Sequence, residues 1–266
     1  MSIELFSVQR PVGSALPIVA NLPHSGLYVP PQIETAFTEQ HRRTLPNSDW
    51  HLQPLYQFLS ELGITVMQAN YSRYVVDLNR AIKPPLFGSF WTAIVPEQTA
   101  FKQPIYLQKP TAAAVKERID RYYRPYHQKL TELLNDAIAH HGKVYLFDLH
   151  SFMGLITDDI CLGNANGTTC SEKLINIVEE SLKKQTYQVV QNKVFTGGYI
   201  TRHYGLQPNV EALQIELRYT NYLSDEQIES EAIPSWRGDK FEQAKQKLKA
   251  AFAEIIRQVK SETENL

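Results

Sequence analysis

The run KVYLFDL, residues 143–149, constrains the fold more than any other stretch of this chain. Its centre is apolar and lacks the alternation of apolar and polar residues that is typical of a strand with one exposed face. A strand of this kind is covered on both faces, as in parallel sheets that are flanked by helices. The shorter run PIVANL, residues 17–22, has the same character. These two runs predict an α/β fold.

Strand-like and helix-like segments alternate along the rest of the chain, which predicts a three-layer αβα arrangement around a central mixed, mostly parallel sheet. Further strands are predicted at 64–71, 160–163, 187–192 and 210–219, and helices at 54–63, 111–142 with a bend at Pro125, 171–184 and 237–260. The proline-rich segment 81–110 is predicted to be a long irregular loop, and 196–205 a glycine turn. No repeat or Gly/Ser-rich linker divides the chain, so we expect a single domain over 1–266.

Composition excludes several classes of partner. The formal net charge is -1, and no basic run stands out, so neither nucleic acid nor a membrane surface is an expected partner. The N-terminal residues lack the features of a signal peptide, and no apolar run is long enough to cross a bilayer. With only Cys161 and Cys170, both expected to be free thiols, we expect a cytoplasmic protein that is a monomer or small homo-oligomer.

Two predicted strands end in a histidine followed by serine, at His24 in NLPHSG and at His150 in DLHS. Because neighbouring parallel strands end at the same edge of a sheet, the two imidazoles can lie side by side and bind a metal ion. A catalytic zinc site usually has a third protein ligand, and NSDWH at 47–51 offers Asp49 and His51. We favour Asp49 as the third ligand, although an aspartate before a helix is often an N-cap.

The stretch SRYVVDLNR, residues 72–80, is interpreted as an extended segment in which Asp77 and Asn79 share a face. Asn79 and Arg80 together would bind a carboxylate, because a guanidinium offers two parallel donors and the amide adds a third. Arg80 could instead be a surface ion-pair partner. Asp77 could accept the free N–H of a metal-binding histidine.

The predicted strand ALQIELRY, residues 212–219, places Glu216 among apolar neighbours. A desolvated carboxylate there would have a raised pKa and could act as a general base near neutral pH. The alternative is an ion pair with Arg218 on the same face of the strand.

Taken together, the motifs resemble the N-formylglutamate amidohydrolase (N-formylglutamate deformylase) family. The stretches that carry the resemblance are PHSG, the Asp49 region, SRYVVDLNR, RPYH, DLHS, GGYITRHYG and LQIEL. A more distant similarity, to zinc carboxypeptidases and aspartoacylases, rests on Asp77-Leu78-Asn79-Arg80 and Glu216-Leu217-Arg218. It implies a zinc carboxypeptidase-like fold. The chain departs from the carboxypeptidase pattern His-x-x-Glu, because Leu27 lies three residues after His24.

The resemblance implies an amidohydrolase that converts N-formyl-L-glutamate, or a related acidic N-acyl amino acid, to formate and the amino acid. One divalent ion, zinc, would be held by His24, Asp49 and His150, with Glu216 as general base. Arg73 would stabilise the oxyanion, or alternatively lie at the surface or bind a substrate carboxylate. Asn79 and Arg80 would bind the α-carboxylate, and Arg202 or Arg218 a second carboxylate.

Two other functions remain open at this point. One is a related enzyme, a metallocarboxypeptidase or a deacylase of another N-acyl amino acid. The other is a metal-free binding protein for an acidic metabolite, which would have no use for a general base at Glu216.

Overall fold

A computed structural model describes residues 3–263, with side chains described as far as residue 260. In chain order the strands are β1 (Phe6–Gln9), β2 (Ile18–Leu22), β3 (Thr65–Ala69), β4 (Phe87–Gly88), β5 (Val95–Pro96), β6 (Val144–Phe152), β7 (Ile160–Gly163), β8 (Val189–Gln191) and β9 (Val210–Arg218). The helices are α1 (Pro31–Glu34), α2 (Glu39–Thr44), α3 (Leu52–Leu55), α4 (Ala112–Arg118), α5 (Arg124–His141), α6 (Glu172–Lys183), α7 (Tyr199–Gly205), α8 (Asp225–Ile228) and α9 (Asp239–Thr263).

Seven of these strands form one sheet in the order β1-β3-β2-β6-β9-β7-β8, while β4 and β5 pair with each other. The four central strands, β3, β2, β6 and β9, run parallel. Strands β1 and β7 are antiparallel to their neighbours in the centre. The predicted α/β fold with a mixed, mostly parallel sheet is therefore confirmed.

The order of the strands creates a crevice at the carboxyl ends of β2 and β6. After β2 the chain passes to β3 on one side, and after β6 it passes to β7 on the other. In open α/β sheets a ligand commonly binds where successive connections leave in opposite directions. This topology predicts that the site lies at the edge where His24 and His150 are found.

Helices cover both faces of the sheet. In β6, Tyr145, Phe147 and Leu149 pack in the hydrophobic cluster that contains α6 and α9, and Val144 and Leu146 pack in the cluster that contains α5 and α7. Successive side chains of a strand point to opposite faces, so this division gives a separate core to each face. The predicted three-layer arrangement is confirmed.

The prediction of a glycine turn at 196–205 is wrong for most of this segment, which is helical. Gly197 has a φ of 115°, and helix α7 begins two residues later at Tyr199. The glycines therefore form only the start of the segment. The buried side chains of Ile200 and Tyr204, four residues apart, give the helix its apolar face.

The prediction of an extended conformation for 72–80 is also wrong, because most of these residues form turns. Local hydrogen bonds compete with strand pairing in this segment. The backbone N–H of Val75 donates to Ser72, and the N–H of Asn79 donates to the Asp77 carboxylate at 2.8 Å. β-Branched residues alone do not make a strand when such contacts are available.

The long predicted helix from Thr111 is interrupted near Pro125. Helix α4 passes into a π-helical turn, Ile119–Tyr123, before α5 begins at Arg124. Proline removes a helical hydrogen bond and crowds the preceding turn, so a widened turn immediately upstream is its physical consequence. The predicted helix at 54–63 is shorter than expected, since α3 ends at Leu55 and one 3₁₀ turn follows.

Within residues 3–263, none of the helices combines the length and the apolar character needed to span a bilayer.

The imidazole of His41 on α2 predicts a dependence of stability on pH. It is 2% exposed, neither ring nitrogen has a hydrogen-bond partner among the described residues, and its ring contacts Phe37 and Tyr74. Burial lowers its pKa from 6.5 to about 4. Because the unfolded chain binds the proton more tightly, this group destabilises the fold as the pH falls below 6.5.

We expect His41→Met to reduce the loss of unfolding free energy between pH 7 and pH 5 by about 2 kcal/mol. Urea unfolding of the wild type and the variant at both pH values measures the difference. Equal losses in the two proteins would show that His41 does not contribute to acid sensitivity.

Candidate active site

Three parallel strands bring the predicted site residues to one edge of the sheet. His24 lies two residues beyond the end of β2, while His150 and Glu216 lie near the ends of β6 and β9. The register pairs His150 directly with Glu216 and Asp148 with Gln214. A histidine and a glutamate are therefore neighbours on adjacent strands.

His24, Asp49 and His150 form a buried cluster. One potential ligand atom from each of them lies within 4.8 Å of the others. Asp49 Oδ2 is 2.9 Å from His150 Nδ1 and 3.8 Å from His24 Nδ1. The three side chains are at most 3% exposed. Two imidazoles and a carboxylate at these separations fit a first-row divalent metal ion.

The alternative ligand, His51, points away from this cluster. Its Nε2 lies 2.5 Å from the carbonyl oxygen of Pro234. His51 occupies the N-cap position of α3, and no side chain caps that helix. Asp49 therefore does not act as the N-cap, which was the competing interpretation of this residue.

A carboxylate lies behind each of the two histidines. His24 Nε2 is 2.8 Å from Asp77, and His150 Nε2 is 3.1 Å from Asp148. A carboxylate only accepts hydrogen bonds, so each contact favours the tautomer with its proton on Nε2, in which Nδ1 faces Asp49 as a free acceptor. This is the arrangement that orients histidines bound to metal ions.

Asp148 was not singled out from the sequence. It precedes His150 by two residues and so shares its face of β6. It is completely buried, and its oxygens also accept from Asn21 and Thr201. A buried aspartate two residues before a strand-end histidine was the available signal.

The two histidines respond differently to their surroundings. For His24, burial is the main cause that lowers the pKa to about 4, with Arg73 acting in the same direction. Burial also opposes the charged form of His150, but the carboxylates of Asp148 and Asp49 outweigh it and raise the pKa well above 6.5. These carboxylates lie at the two ring nitrogens of His150, Asp49 beside Nδ1 and Asp148 beside Nε2.

Glu216 is 7% exposed, and burial raises the pKa of its carboxyl to about 7. Its Oε1 accepts from Gln214 Nε2 at 2.8 Å, and Gln214 in turn accepts from the N–H of Gly198. Arg218 donates to the carbonyl of Thr157 instead of pairing with Glu216. The alternative interpretation of Glu216 as half of an ion pair on β9 is not what the structure contains.

Arg73 and Arg80 both reach the cavity. Arg73 donates to Asp77 at 2.6 Å and to the carbonyl of Asn47, while its Nε has no hydrogen-bond partner within the described part of the chain. Arg80 donates to the carbonyls of Phe90 and Asn79 and forms no ion pair with a described carboxylate. Arg80 is therefore a cation available to an anionic ligand.

Asn79 has a defined orientation beside His150. Its Oδ1 accepts from the N–H of Ile200 at 2.8 Å, which leaves Nδ2 beside the His150 ring, 3.1 Å from Nε2. When His150 Nε2 carries the proton that Asp148 accepts, the Asn79 NH₂ group does not hydrogen-bond to that nitrogen. Gly198 packs against this amide so closely that a Cβ there would lie 2.3 Å from Nδ2. Asn79 is thus held from two sides.

Arg202 and Arg218, the candidates for a second carboxylate, are not among the residues that line the cavity. Arg202 is exposed and donates to Thr196 Oγ1 and to the carbonyl of Gly197. Thr196 and Gly197 do line the cavity. Arg202 therefore lies outside the cavity and hydrogen-bonds to two residues of its wall.

The cluster opens into a cavity of about 670 Å³. Its lining includes the predicted residues His24, Asp49, Arg73, Asn79, Arg80, His150 and Glu216. The irregular segment 81–110 contributes Phe90, Trp91, Ala100 and Phe101 to its wall. Trp91 and Phe101 are more than half exposed, so the mouth of the cavity is apolar while its floor is charged.

Comparisons with known proteins give a consistent result. A family model described as N-formylglutamate amidohydrolase matches residues 16–223. An N-formylglutamate deformylase from Pseudomonas putida is 32% identical over 222 residues, which cover 79% of this chain and 83% of the relative. A protein of the same name from Pseudomonas aeruginosa PAO1 is 34% identical over 236 residues, which cover 84% and 87%.

The crystal structure of an N-formylglutamate amidohydrolase from Ralstonia eutropha JMP134 is also similar. It matches this chain with a TM-score of 0.81 and 30% sequence identity, covering 96% of this chain and 99% of that one. The similarity therefore extends over nearly the whole of both chains.

Proposed function

This chain belongs to the N-formylglutamate amidohydrolase family, and on that premise we propose that it hydrolyses N-formyl-L-glutamate to formate and L-glutamate. One observation carries the proposal. The His24–Asp49–His150 cluster and Glu216 open into the same cavity as Arg80, a guanidinium without a carboxylate partner among the described residues.

We propose that the cluster holds one divalent metal ion, zinc, through Nδ1 of each histidine and Asp49. Nitrogen and carboxylate ligands suit zinc, and the carboxylates behind both imidazoles support this role. When bound, such an ion supplies Lewis acidity, which lowers the pKa of water and polarises a carbonyl oxygen.

Arg80 and Asn79 bind the α-carboxylate of the substrate in this proposal. The guanidinium supplies a charge-assisted contact, and the NH₂ group of Asn79 adds a donor beside His150. Holding the carboxylate here orients the formyl amide toward the His–Asp–His cluster. Positioning of this kind can contribute several kcal/mol, about 7–11 in well-oriented intramolecular reactions.

Glu216 acts as the base and then as the acid. Its Oε1 is engaged by Gln214, so Oε2 takes a proton from the attacking water as the oxygen bonds to the formyl carbon. The same proton passes to the nitrogen when the C–N bond breaks, and the products are formate and the free amine of glutamate.

Arg73 stabilises the negative charge that develops on the formyl oxygen. It lines the cavity, its Nε lacks a partner, and its pairing with Asp77 fixes its position. A donor of this kind typically lowers the barrier by about 3–4 kcal/mol.

The proposal is tested by assaying hydrolysis of N-formyl-L-glutamate with metal content measured in parallel. Formate release by protein that contains about one equivalent of metal is the expected result. Metal-free protein that binds glutamate without turnover would instead favour the binding-protein alternative.

The size of the cavity keeps a deacylase of another N-acyl amino acid as a second candidate. A formyl-specific site should be tight around the metal, whereas this cavity measures about 670 Å³ and has apolar side chains at its mouth. Faster turnover of N-acetyl-L-glutamate than of N-formyl-L-glutamate would favour this candidate.

We expect Arg80→Ala to raise KM for N-formyl-L-glutamate by about 10- to 100-fold, because a charge-assisted contact contributes about 1.5–3 kcal/mol. Metal content should stay unchanged, since Arg80 does not contact the metal cluster. Steady-state kinetics and metal analysis measure both. The exposed Arg124→Ala is a matched control, and unchanged kinetics of Arg80→Ala would reject the receptor role.

We further propose that the enzyme works in the cytoplasm as a monomer or small homo-oligomer. Cys161 and Cys170 are both buried and unpaired, in keeping with a reducing compartment.

A further inference from the structure

The segment that carries Asn79 and Arg80 pairs with none of the described strands, so other contacts must hold its backbone. The carbonyl of Leu78 accepts from His127 Nε2 at 2.9 Å, and the carbonyl of Arg80 accepts from the Tyr123 hydroxyl at 2.9 Å. Both donors come from one stretch of helix at the back of the cavity. Neither of them lines the cavity itself.

The π-helical turn passes into α5 between these two donors. Tyr123 is its last residue and His127 lies four residues further on, in the motif RPYH. Their ring centroids are 4.1 Å apart. Residues four apart in a helix lie on one face, and π-helical turns recur at functional sites. The junction of the π-helical turn with α5 therefore carries both contacts to the segment of Asn79 and Arg80.

The hydrogen bonds of His127 leave it no free ring nitrogen. A carbonyl only accepts, so Nε2 carries the proton, and Nδ1 lies 3.0 Å from the Tyr204 hydroxyl, which can donate to it. Burial lowers the pKa of His127 to about 4, so the ring is neutral at neutral pH. His127 therefore holds a carbonyl in place and does not take part in proton transfer.

Helix α7 holds the same segment from the other side. The N–H of Ile200 donates to Asn79 Oδ1, and Gly198 lies against the Asn79 amide. Tyr204 of the same helix contacts His127. Separate contacts therefore hold the carbonyls of Leu78 and Arg80 and the side-chain amide of Asn79.

We infer that Tyr123 and His127 are positioning residues, which place Asn79 and Arg80 to receive the substrate α-carboxylate. The inference rests on the proposed function, in which Asn79 and Arg80 are that receptor. A displaced receptor should weaken binding of the carboxylate and leave the metal cluster and Glu216 in place. The expected effect is therefore on KM and on carboxylate recognition.

The test compares Tyr123→Phe, His127→Gln and His127→Leu with the wild type. Glutamine can keep a donor near the position of Nε2, whereas leucine leaves the Leu78 carbonyl without its donor. Tyr122→Phe removes a hydroxyl from the adjacent residue of the same turn and is the matched control. Kinetics are measured with N-formyl-L-glutamate and with its α-carboxamide, and calorimetry measures binding of L-glutamate independently of turnover.

We expect Tyr123→Phe to raise KM by about 2- to 10-fold and His127→Leu by about 10- to 100-fold, with kcat changed less than 2-fold. His127→Gln should recover most of the loss. The preference for the α-carboxylate over the α-carboxamide should fall in parallel with KM, and the affinity for L-glutamate should fall with it. Tyr122→Phe should behave as the wild type.

Other outcomes separate the two proposals. Unchanged KM and preference in Tyr123→Phe and His127→Leu would overturn the inference, as would equal losses for both substrates accompanied by loss of stability. Unchanged binding of L-glutamate in Arg80→Ala would overturn it as well, because the receptor would lie elsewhere. If the wild type binds L-glutamate but does not hydrolyse the formyl substrate, only the proposed function is contradicted. In that case, weaker binding of L-glutamate by His127→Leu would still support the inference.

Discussion

Replacing Glu216 with glutamine is expected to lower kcat for N-formyl-L-glutamate by about 10²- to 10⁴-fold, the usual contribution of a general base. Glutamine has nearly the same shape and can still accept from Gln214, but it cannot take a proton from water. Metal content should be retained, because Glu216 is not part of the His–Asp–His cluster. Stopped-flow or steady-state kinetics with parallel metal analysis measure both quantities.

Glu211→Gln is a control of the same chemistry on the same strand. Glu211 accepts from Ser171 at the start of α6 and does not line the cavity, so full turnover is expected. Full turnover by Glu216→Gln with metal bound would remove Glu216 from the role of base. Loss of metal in that variant would instead identify it as a ligand.

Removing the metal with a chelator is expected to abolish turnover, and adding zinc back should restore it. The same treatment should lower the thermal stability, because an ion that binds only the folded state contributes about 4 kcal/mol at 1,000 times its Kd. His24 and His150 would then face Asp49 without a cation between them. Differential scanning calorimetry and formate release measure the two effects.

Asp148→Asn probes the same site without removing a ligand. Asparagine cannot orient and polarise the His150 imidazole as the carboxylate does, so metal affinity should fall by about 10- to 100-fold. The exposed Asp136→Asn on α5 is the matched control. Equal zinc affinity in Asp148→Asn and the wild type would exclude Asp148 from metal binding, and turnover that survives complete removal of the metal would reject the metal-dependent mechanism.

Much of the fold could be predicted because buried parallel strands are continuous apolar runs without alternating polar residues. The runs that end at His24 and His150 were located from apolar content alone, and a shared sheet edge followed from parallel pairing. Strand β6 extends past the predicted end to Phe152, since His150 and its successors pair with β9. The end of a strand depends on its pairing with strands that are distant in sequence, and a local pattern of residues does not reveal that pairing.

The missed features depend on tertiary contacts. Asp148 lies two residues before His150 in the sequence, but its contacts with Nε2 of that histidine, Asn21 and Thr201 join residues that only the fold brings together. Strand β1 was not predicted, since four half-buried residues at an edge give little signal. The contact of His127 with Leu78 joins residues 49 positions apart. The RPYH motif could be noticed in the sequence, but its role follows only from this contact.

The pairing of His150 with Glu216 across β6 and β9 has a consequence for redesign. Neighbouring strands are held about 4.8 Å apart by their ladder of hydrogen bonds, so this spacing does not depend on any loop. The apolar mouth, by contrast, belongs to irregular segments near Trp91, Phe101 and Leu155. Substituting the exposed side chains at the mouth should therefore admit bulkier acyl groups while His150 and Glu216 keep their spacing.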